Sequence, residues 1–134
     1  RGDHSGADVC ADDGGTPVCV QSDSGGAYAI DVAEGSYAVT VDMARYLDAE
    51  KPGVSVTVGN TTTLQPVTLL GGDANDDCLI NILDLALMGG RFGASCGDAN
   101  WDERADINND CTINILDLAI TGGNFGQSCP VPWN

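Results

Sequence analysis

The sequence predicts a mainly β protein with a small helical module at its end. An antiparallel β-sandwich over residues 1–70 is followed by an all-α module over residues 71–134. Two observations lead to this fold class. Turn signals recur at intervals of about ten residues through the first half, between runs that alternate apolar and polar residues. In the second half one acidic stretch occurs twice, and an apolar run with helical spacing follows each copy.

The first half contains short alternating runs of the kind that form strands. Val9–Ala11 and Thr16–Val20 flank the turn signal Asp12-Asp13-Gly14-Gly15, which predicts a hairpin. Further strands are predicted at residues 28–31, 36–42, 46–48, 54–58 and 61–70. Leu69-Leu70-Gly71-Gly72 then joins the halves, and this connection is too short for a flexible linker.

A twelve-residue stretch begins at Asp73 and occurs again at Asp106 (106 − 73 = 33). In both copies oxygen-bearing side chains stand at positions 1, 3, 5, 9 and 12. That is the spacing of a calcium loop, in which alternate side chains and the carbonyl of position 7 converge on a hard cation. Two Ca²⁺ ions are therefore predicted. The ligands of the first are Asp73, Asn75, Asp77, the carbonyl of Leu79, Asn81 and Asp84, and those of the second are Asp106, Asn108, Asp110, the carbonyl of Thr112, Asn114 and Asp117.

The other interpretation of these stretches is an Asx-rich turn with solvated charges. Two copies in register, each followed by an apolar run, favour the metal site. Ligands that are all oxygen favour calcium over zinc or copper. Position 12 is Asp rather than the longer Glu, so the pattern predicts calcium without predicting an affinity.

Apolar residues spaced four apart predict a short helix after each loop, at Leu83 and Leu87 and again at Leu116 and Ile120. Glycines end both helices. The phenylalanines that follow are predicted to return to the core. They are Phe92 and Phe125.

The repeated stretch resembles a dockerin. Its first copy runs from Gly72-Asp73-Ala74-Asn75 through Asn81-Ile82-Leu83-Asp84-Leu85, and its second copy lies at 106–118. Dockerins are small calcium-dependent docking modules of cellulosomal and other secreted bacterial proteins, with EF-hand-like loops. The resemblance covers about half of the chain. It implies a cohesin-like protein partner and an aromatic clasp, here Trp133 over Gly71 or Gly72. It also implies that loop positions 10 and 11 choose the partner, and these are Ile82, Leu83, Ile115 and Leu116.

Two features depart from the dockerin pattern. Positions 10 and 11 are apolar here, whereas cellulosomal dockerins often carry polar residues there. Position 6 of such loops is normally glycine, because the backbone is left-handed at that point. Here position 6 is Cys78 in the first loop and Cys111 in the second.

Three stretches of the first half carry a second resemblance, at residues 23–28, 32–41 and 56–64, together with Tyr46-Leu47. They are similar to the carboxypeptidase regulatory-like, transthyretin-like β-sandwich, which implies a non-catalytic companion domain. In that family a further strand normally precedes the stretch matching Gly6–Asp12. We therefore expect a sandwich without its first strand, which either leaves a slot for another chain or reflects a clipped strand.

Six cysteines in a short chain predict disulfides and an oxidising compartment, secreted or at the cell surface. Cys10 and Cys19 flank the predicted hairpin and suit a cross-strand bridge. The other four repeat at the same spacing and allow two symmetrical pairings, in which Cys78 joins either Cys96 or Cys129. Zinc is disfavoured because no CxxC or His partner is present. The dockerin resemblance implies antiparallel helices, and hence the bridges Cys78–Cys129 and Cys96–Cys111.

The net charge and the residue types present in the chain exclude several classes of function. With 20 acidic and 5 basic residues the net charge is −15, which makes nucleic acid and anionic lipid poor partners. No apolar run is long enough for membrane insertion. The only histidine, His4, has no triad context and no nucleophile motif is present, so we expect no enzyme.

The leading hypothesis is a non-catalytic, secreted, calcium-binding assembly module. Its partner is another protein, either a cohesin-like receptor or further copies of itself. The alternative is a subunit of an extracellular filament or sheath that polymerises head to tail by strand addition into the incomplete sandwich. Carbohydrate binding has the least support, because its only candidate platform is Tyr28, Tyr37 and Tyr46.

Overall fold

The structure is a computed structural model that describes residues 4–131 and 133. Two compact units make up the chain. The sheet unit comprises residues 4–43 and Asp48–Thr68 with Trp133, and the helical unit comprises Ala44–Leu47 and Leu69–Val131. The elements in chain order are β1 (Asp8–Asp12), β2 (Val18–Gln21), β3 (Gly35–Asp42), β4 (Arg45–Tyr46), β5 (Ala49–Val56), β6 (Gly71–Asp73), α1 (Ile82–Gly89), a 3-10 helix (Glu103–Ala105) and α2 (Ile115–Gly123).

The sheet unit contains one four-stranded antiparallel sheet in the order β2-β1-β3-β5. Its central strands bury alternate residues, so one face of the sheet is covered. Val9 on β1 and Val39 and Val41 on β3 are at most 5% exposed, whereas Thr40 between them is half-buried. Burial of alternate apolar residues fixes the register, since a slip of one residue would turn them outward.

Two predicted strands of this unit are wrong. The described residues at 28–31 and 61–70 form no strand. Strand propensity is a local property, but a ladder needs a partner backbone, and no described strand pairs with either segment. Pro66 lacks the N–H that a ladder requires. Near it, the Thr62 hydroxyl donates to the Ser55 carbonyl at 2.7 Å.

The helical unit includes a short segment, Ala44–Leu47, that lies between β3 and β5 in the sequence. Residues Arg45 and Tyr46 form β4, which pairs antiparallel with β6, and the Leu47 N–H donates to the Leu70 carbonyl at 2.9 Å. The two helices pack around a small core with partly buried neighbours. The buried members are Ala74, Met88, Ala94, Ala105, Ile107 and Ile113, and the partly buried ones are Leu87, Trp101, Leu118 and Ile120.

The mainly antiparallel β architecture with two short helices is confirmed. The division into domains at residue 70, the missing first strand and the dockerin-like character of the helical half stay predictions. The observed units interleave along the chain, because β4 lies between β3 and β5 in sequence but pairs with β6. Among the described residues no helix has the length and apolar character needed to cross a membrane.

One predicted placement of aromatic residues is wrong. Phe92 and Phe125 do not return to the core and are 53% and 51% exposed. The predicted clasp of Trp133 over Gly71 or Gly72 stays a prediction. The indole Nε1 of Trp133 donates to the Gln65 carbonyl at 2.7 Å. A Cβ built on Gly71 would lie 3.0 Å from Cε1 of Tyr46, so Tyr46 is an aromatic side chain beside this glycine.

Candidate metal centres

The first loop is organised by its first residue, Asp73, at the end of β6. This side chain is buried, and its carboxylate accepts backbone N–H groups from Asp77 at 3.0 Å and Cys78 at 2.9 Å. Asn75 Nδ2 donates to an oxygen of Asp77 at 3.1 Å. The chain therefore turns around a buried carboxylate.

The second loop repeats this arrangement. Buried Asp106 accepts the N–H groups of Asp110 at 3.1 Å and Cys111 at 2.9 Å, and Asn108 Nδ2 donates to Asp110 at 3.0 Å. The second loop has one further bond within it, in which Asn108 Oδ1 accepts the Asp110 N–H at 3.2 Å. The common hydrogen bonds show that the repeated spacing produces a repeated conformation.

The last residue of each loop closes it from the first turn of a helix. Asp84 is fully buried in α1, and its carboxylate accepts the N–H groups of Asn75 at 3.2 Å and Asn81 at 2.8 Å. Its counterpart Asp117 in α2 accepts the N–H groups of Ile107 at 2.9 Å and Asn114 at 2.9 Å. Each aspartate thus joins the beginning of its loop to the beginning of its helix.

Position 9 of each loop is the helix N-cap. Asn81 Oδ1 accepts the Leu83 N–H at 2.9 Å, and Asn114 Oδ1 accepts the Leu116 N–H at 2.8 Å. With the aspartate three residues later, each asparagine forms a capping box. The sequence pattern assigned these asparagines to metal ligation alone, although Asn followed three residues later by an acidic side chain is also a signal for a helix start.

The carboxylates of each loop lie close enough together to share one calcium ion. Oxygens of Asp73, Asp77 and Asp84 lie within 4.8 Å of one another, and so do those of Asp106, Asp110 and Asp117. Two oxygens that each lie about 2.4 Å from a shared Ca²⁺ ion are at most about 4.8 Å apart. Asn75 Oδ1 supplies a second observation, because it is buried and accepts no hydrogen bond within the described part of the chain. The residues therefore fit a hard divalent cation.

Burial shifts two of these carboxyls toward the neutral form. Desolvation raises the pKa of Asp73 above its ordinary value, against hydrogen bonds from the Asp77 and Cys78 backbone that lower it. Desolvation likewise raises the pKa of Asp117, with the nearby Asp106 adding to the effect. A cation between these groups would remove the electrostatic cost of their ionisation.

Two pairs of backbone hydrogen bonds connect the two copies of the repeat, and we call them the crossed ribbons. In the first, the Ile80 carbonyl accepts the Gly126 N–H at 2.8 Å, and the Ile80 N–H donates to the Gln127 carbonyl at 2.9 Å. In the second, the Ile113 carbonyl accepts the Gly93 N–H at 2.8 Å, and the Ile113 N–H donates to the Ala94 carbonyl at 2.9 Å. The segment after each helix therefore pairs with the loop of the other copy.

A disulfide lies next to each crossed ribbon. The structure contains three disulfides, Cys10–Cys19, Cys78–Cys129 and Cys96–Cys111, and each pairing agrees with the one expected above. Cys10 lies opposite Cys19 in the β1–β2 register. Three disulfides indicate an extracellular location.

Exposed apolar side chains surround the beginnings of both helices. Each of these side chains is more than half exposed. The crossed ribbons place a phenylalanine of one copy next to the loop of the other copy. The Gly126–Ile80 bond places Phe125 next to the loop that precedes Ile82 and Leu83, and the Gly93–Ile113 bond places Phe92 next to the loop before Ile115 and Leu116. We call these sets the first apolar face (Ile82, Leu83, Phe125) and the second apolar face (Ile115, Leu116, Phe92).

Comparison with known proteins gives a family for the first half. Residues 4–70, half of the chain, match the model of the carboxypeptidase regulatory-like domain. The chain belongs to the carboxypeptidase regulatory-like domain family. No curated protein sequence matches it.

Solved structures extend the likeness beyond the carboxypeptidase regulatory-like region. A chain in the crystal structure of a C-terminal interface mutant of a type II cohesin–X-dockerin complex from Acetivibrio cellulolyticus is 32% identical, with a TM-score of 0.79. The match covers 93% of this chain and 83% of that one. The N-terminal interface mutant of this type II complex, from the same organism, matches at 31% identity and a TM-score of 0.78, with the same coverage. The likeness therefore extends over both units.

Proposed function

We propose that this protein is a secreted, non-catalytic assembly module whose helical unit binds two calcium ions and docks onto a cohesin-like protein. The observation that carries the calcium assignment is the pair of equivalent carboxylate clusters, with oxygens within 4.8 Å, beside the buried and unpaired Asn75 Oδ1. Like charges at this separation repel, and a divalent cation turns that repulsion into a stabilising contact.

Calcium would act on the fold by tying distant pieces of the loop together. In the first loop the ion would be held by Asp73 at the end of β6 and by Asp84 in the first turn of α1. It would thereby fix the direction in which the helix leaves the loop. Because Ile82 and Leu83 lie in that same turn, calcium would also set the position of the first apolar face. The same reasoning applies to Asp117 and the second face.

The two apolar faces are the proposed docking surface. Six large apolar side chains exposed around two helix starts are unusual for a surface with no partner. Charged residues are depleted at the centre of protein interfaces, which suits these faces in a chain with a net charge of −15. The likeness to a chain of a cohesin–X-dockerin complex supports a cohesin-like partner, and the paired calcium loops favour the dockerin side of such a complex.

The test uses the type II cohesin of the matched complex as the probe. Binding is measured by calorimetry in calcium and in chelator, first with the natural chain. We expect binding in calcium and at least a hundredfold loss in chelator. Replacing Ile82, Leu83, Ile115 and Leu116 together by Ser should abolish binding while the protein still binds two Ca²⁺ ions.

The matched control is Val58→Ser. Val58 is 73% exposed and apolar but lies in the sheet unit, so its replacement should leave cohesin binding unchanged. Full binding by the fourfold Ser variant would show that the apolar faces do not form the interface. Absence of calcium binding by the natural chain would overturn the calcium assignment itself.

A second candidate is self-assembly into a filament or sheath by strand addition. It is favoured by the edge position of β2, which pairs only with β1 among the described residues. An unpaired edge offers N–H and C=O groups to another chain. Light scattering on the untagged chain separates the two candidates, because polymers support self-assembly and a monomer that binds cohesin supports docking. Carbohydrate binding loses one of its three candidate tyrosines, since Tyr37 is 7% exposed.

A further inference from the structure

The sixth position of both loops has a backbone conformation that its side chain disfavours. Cys78 and Cys111 each have φ of 66°, in the left-handed region. Side chains with a Cβ avoid this region, and glycine or asparagine usually occupies it. Position 4 shows the ordinary solution, because Asp76 and Asn109 at φ of 59° and 60° are residue types that tolerate the conformation. Cysteine is not among the residue types enriched in this conformation.

This conformation matters to the candidate metal ligands. The N–H of Cys78 donates to one carboxylate oxygen of Asp73 at 2.9 Å, and the N–H of Cys111 donates to Asp106 at the same distance. The left-handed turn at position 6 thus directs an N–H group onto the first carboxylate of the loop. A relaxed backbone at this point would turn the donor away and release that carboxylate.

The conformation is held from the other copy of the repeat. Cys78 is bonded through sulfur to Cys129, whose N–H also donates to the Cys78 carbonyl at 3.0 Å. Cys111 is bonded to Cys96, whose N–H donates to the Cys111 carbonyl at 3.1 Å. Each position-6 residue is therefore fixed at its sulfur and at its carbonyl by a segment that follows the opposite helix.

We infer that these two disulfides are positioning devices for the calcium loops and replace the glycine that position 6 ordinarily carries. Cys78 and Cys111 are positioning residues, and the calcium affinity of each loop depends on a cysteine contributed by the opposite copy. This inference rests on the proposed calcium function. It predicts that cutting one disulfide weakens calcium binding at the loop whose sixth residue it holds.

The test compares two double variants that lack the same disulfide. In Cys78→Ala with Cys129→Ala, position 6 retains a Cβ and loses its clamp, and we expect about tenfold weaker calcium binding at the first loop. In Cys78→Gly with Cys129→Ala, glycine adopts the left-handed conformation freely, and we expect most of the affinity to return. A merely structural cross-link would not distinguish the glycine variant from the alanine variant.

The readout is a calcium titration by calorimetry, with the second loop as an internal control in each variant. In the mirror pair, Cys111→Ala with Cys96→Ala should weaken only the second loop, and Cys111→Gly with Cys96→Ala should recover most of the affinity of that loop. Equal affinity of the glycine and alanine variants, or an alanine variant that binds as tightly as the natural chain, would overturn the inference. A natural chain that binds no calcium would overturn the proposed function instead.

A measurement on the natural chain keeps the inference testable if a variant fails to fold. A dithiol reductant such as dithiothreitol gives two electrons and two protons to each disulfide and becomes a cyclic disulfide. Since coupling between two equilibria is reciprocal, calcium should lower the fraction of Cys78–Cys129 and of Cys96–Cys111 that is reduced at equilibrium in a fixed mixture of reduced and oxidised dithiothreitol. The reduced fraction of Cys10–Cys19 in the sheet unit should be the same with and without calcium. Mass spectrometry of alkylated cysteines gives the three fractions, and calcium-independent fractions for all three would contradict the coupling.

Discussion

Met88 and Thr121 occupy equivalent places in the two copies and meet inside the helical unit, where Thr121 Oγ1 donates to Met88 Sδ at 3.4 Å. Both side chains are fully buried. Residues related by an internal repeat come together where the repeat folds back on itself, so this contact marks the place where α1 and α2 pack. The two copies fill it with one large and one small side chain, as interdigitated packing requires.

The Met88–Thr121 contact predicts unequal effects on stability. Met88→Ala should lower the free energy of unfolding by about 2–5 kcal/mol, because it leaves a cavity in a small core. Thr121→Val keeps the branched shape and removes only a bond to a weak thioether acceptor, so it should change stability by about 1 kcal/mol or less. Urea unfolding in saturating calcium gives both values. A greater loss of unfolding free energy in Thr121→Val than in Met88→Ala would mean that the hydroxyl rather than the packing holds the contact.

Gly72 is predicted to be intolerant of any side chain. Its φ is +126°, and an added Cβ would lie 2.8 Å from Cα of Thr121, a backbone atom that cannot turn aside. We expect Gly72→Ala to cost about 2–4 kcal/mol. The control is Gly89→Ala at the end of α1, where a Cβ meets nothing within 4 Å and should stabilise by up to about 1 kcal/mol. Thermal unfolding of the two variants should shift in opposite directions.

Removing the last carboxylate of one loop should remove one calcium site. Asp84→Asn preserves the shape of the side chain but loses a charge at the ion, so the number of bound Ca²⁺ ions should fall from two to one at micromolar calcium. Asp117→Asn should do the same at the other loop. Asp98→Asn is the control, since Asp98 accepts the Ser95 N–H at 2.8 Å and lies outside both loops. Two ions in Asp84→Asn would place the first site elsewhere.

The raised pKa of Asp73 predicts a dependence on pH that calcium reverses. In calcium-free buffer the folded state favours the neutral carboxyl, because burial raises its pKa. Its contribution to stability is therefore present below the unfolded pKa of about 3.9 and is lost as the pH rises through the folded pKa. Over the range from the unfolded pKa to neutral pH, the contribution of Asp73 should therefore fall as the pH rises in calcium-free buffer, and it should rise with pH in calcium, which favours the ionised carboxyl. Melting temperatures of the natural chain and of Asp73→Asn from acid to neutral pH test this, and a trend of the same sign in both buffers would contradict it.

The elements that could be predicted from the sequence are those specified by neighbouring residues. The repeat predicts a short helix with each loop, and the structure contains α1 and α2 there. Their starts after Asn81 and Asn114 were not predicted, although an N-cap and its capping box lie within four residues of each other and are a local signal. The hairpin of β1 and β2 follows from its turn signal, and the carboxylates of each loop meet because alternate positions of a tight turn face inward.

The remaining features depend on residues far apart in the chain. Local patterns placed strands at 28–31 and 61–70, but a strand exists only where another backbone completes its hydrogen bonds, and β4 found that partner in β6. The exposure of Phe92 and Phe125 and the left-handed cysteines of the loops likewise arise from the crossed ribbons between the two copies. Spacing along the chain was thus enough to bring the carboxylate oxygens of each loop together. Which residues of the two copies lie together on each exposed apolar face was decided by how the loops pair with each other, because hydrogen bonds and disulfides between the copies join residues far apart in the chain.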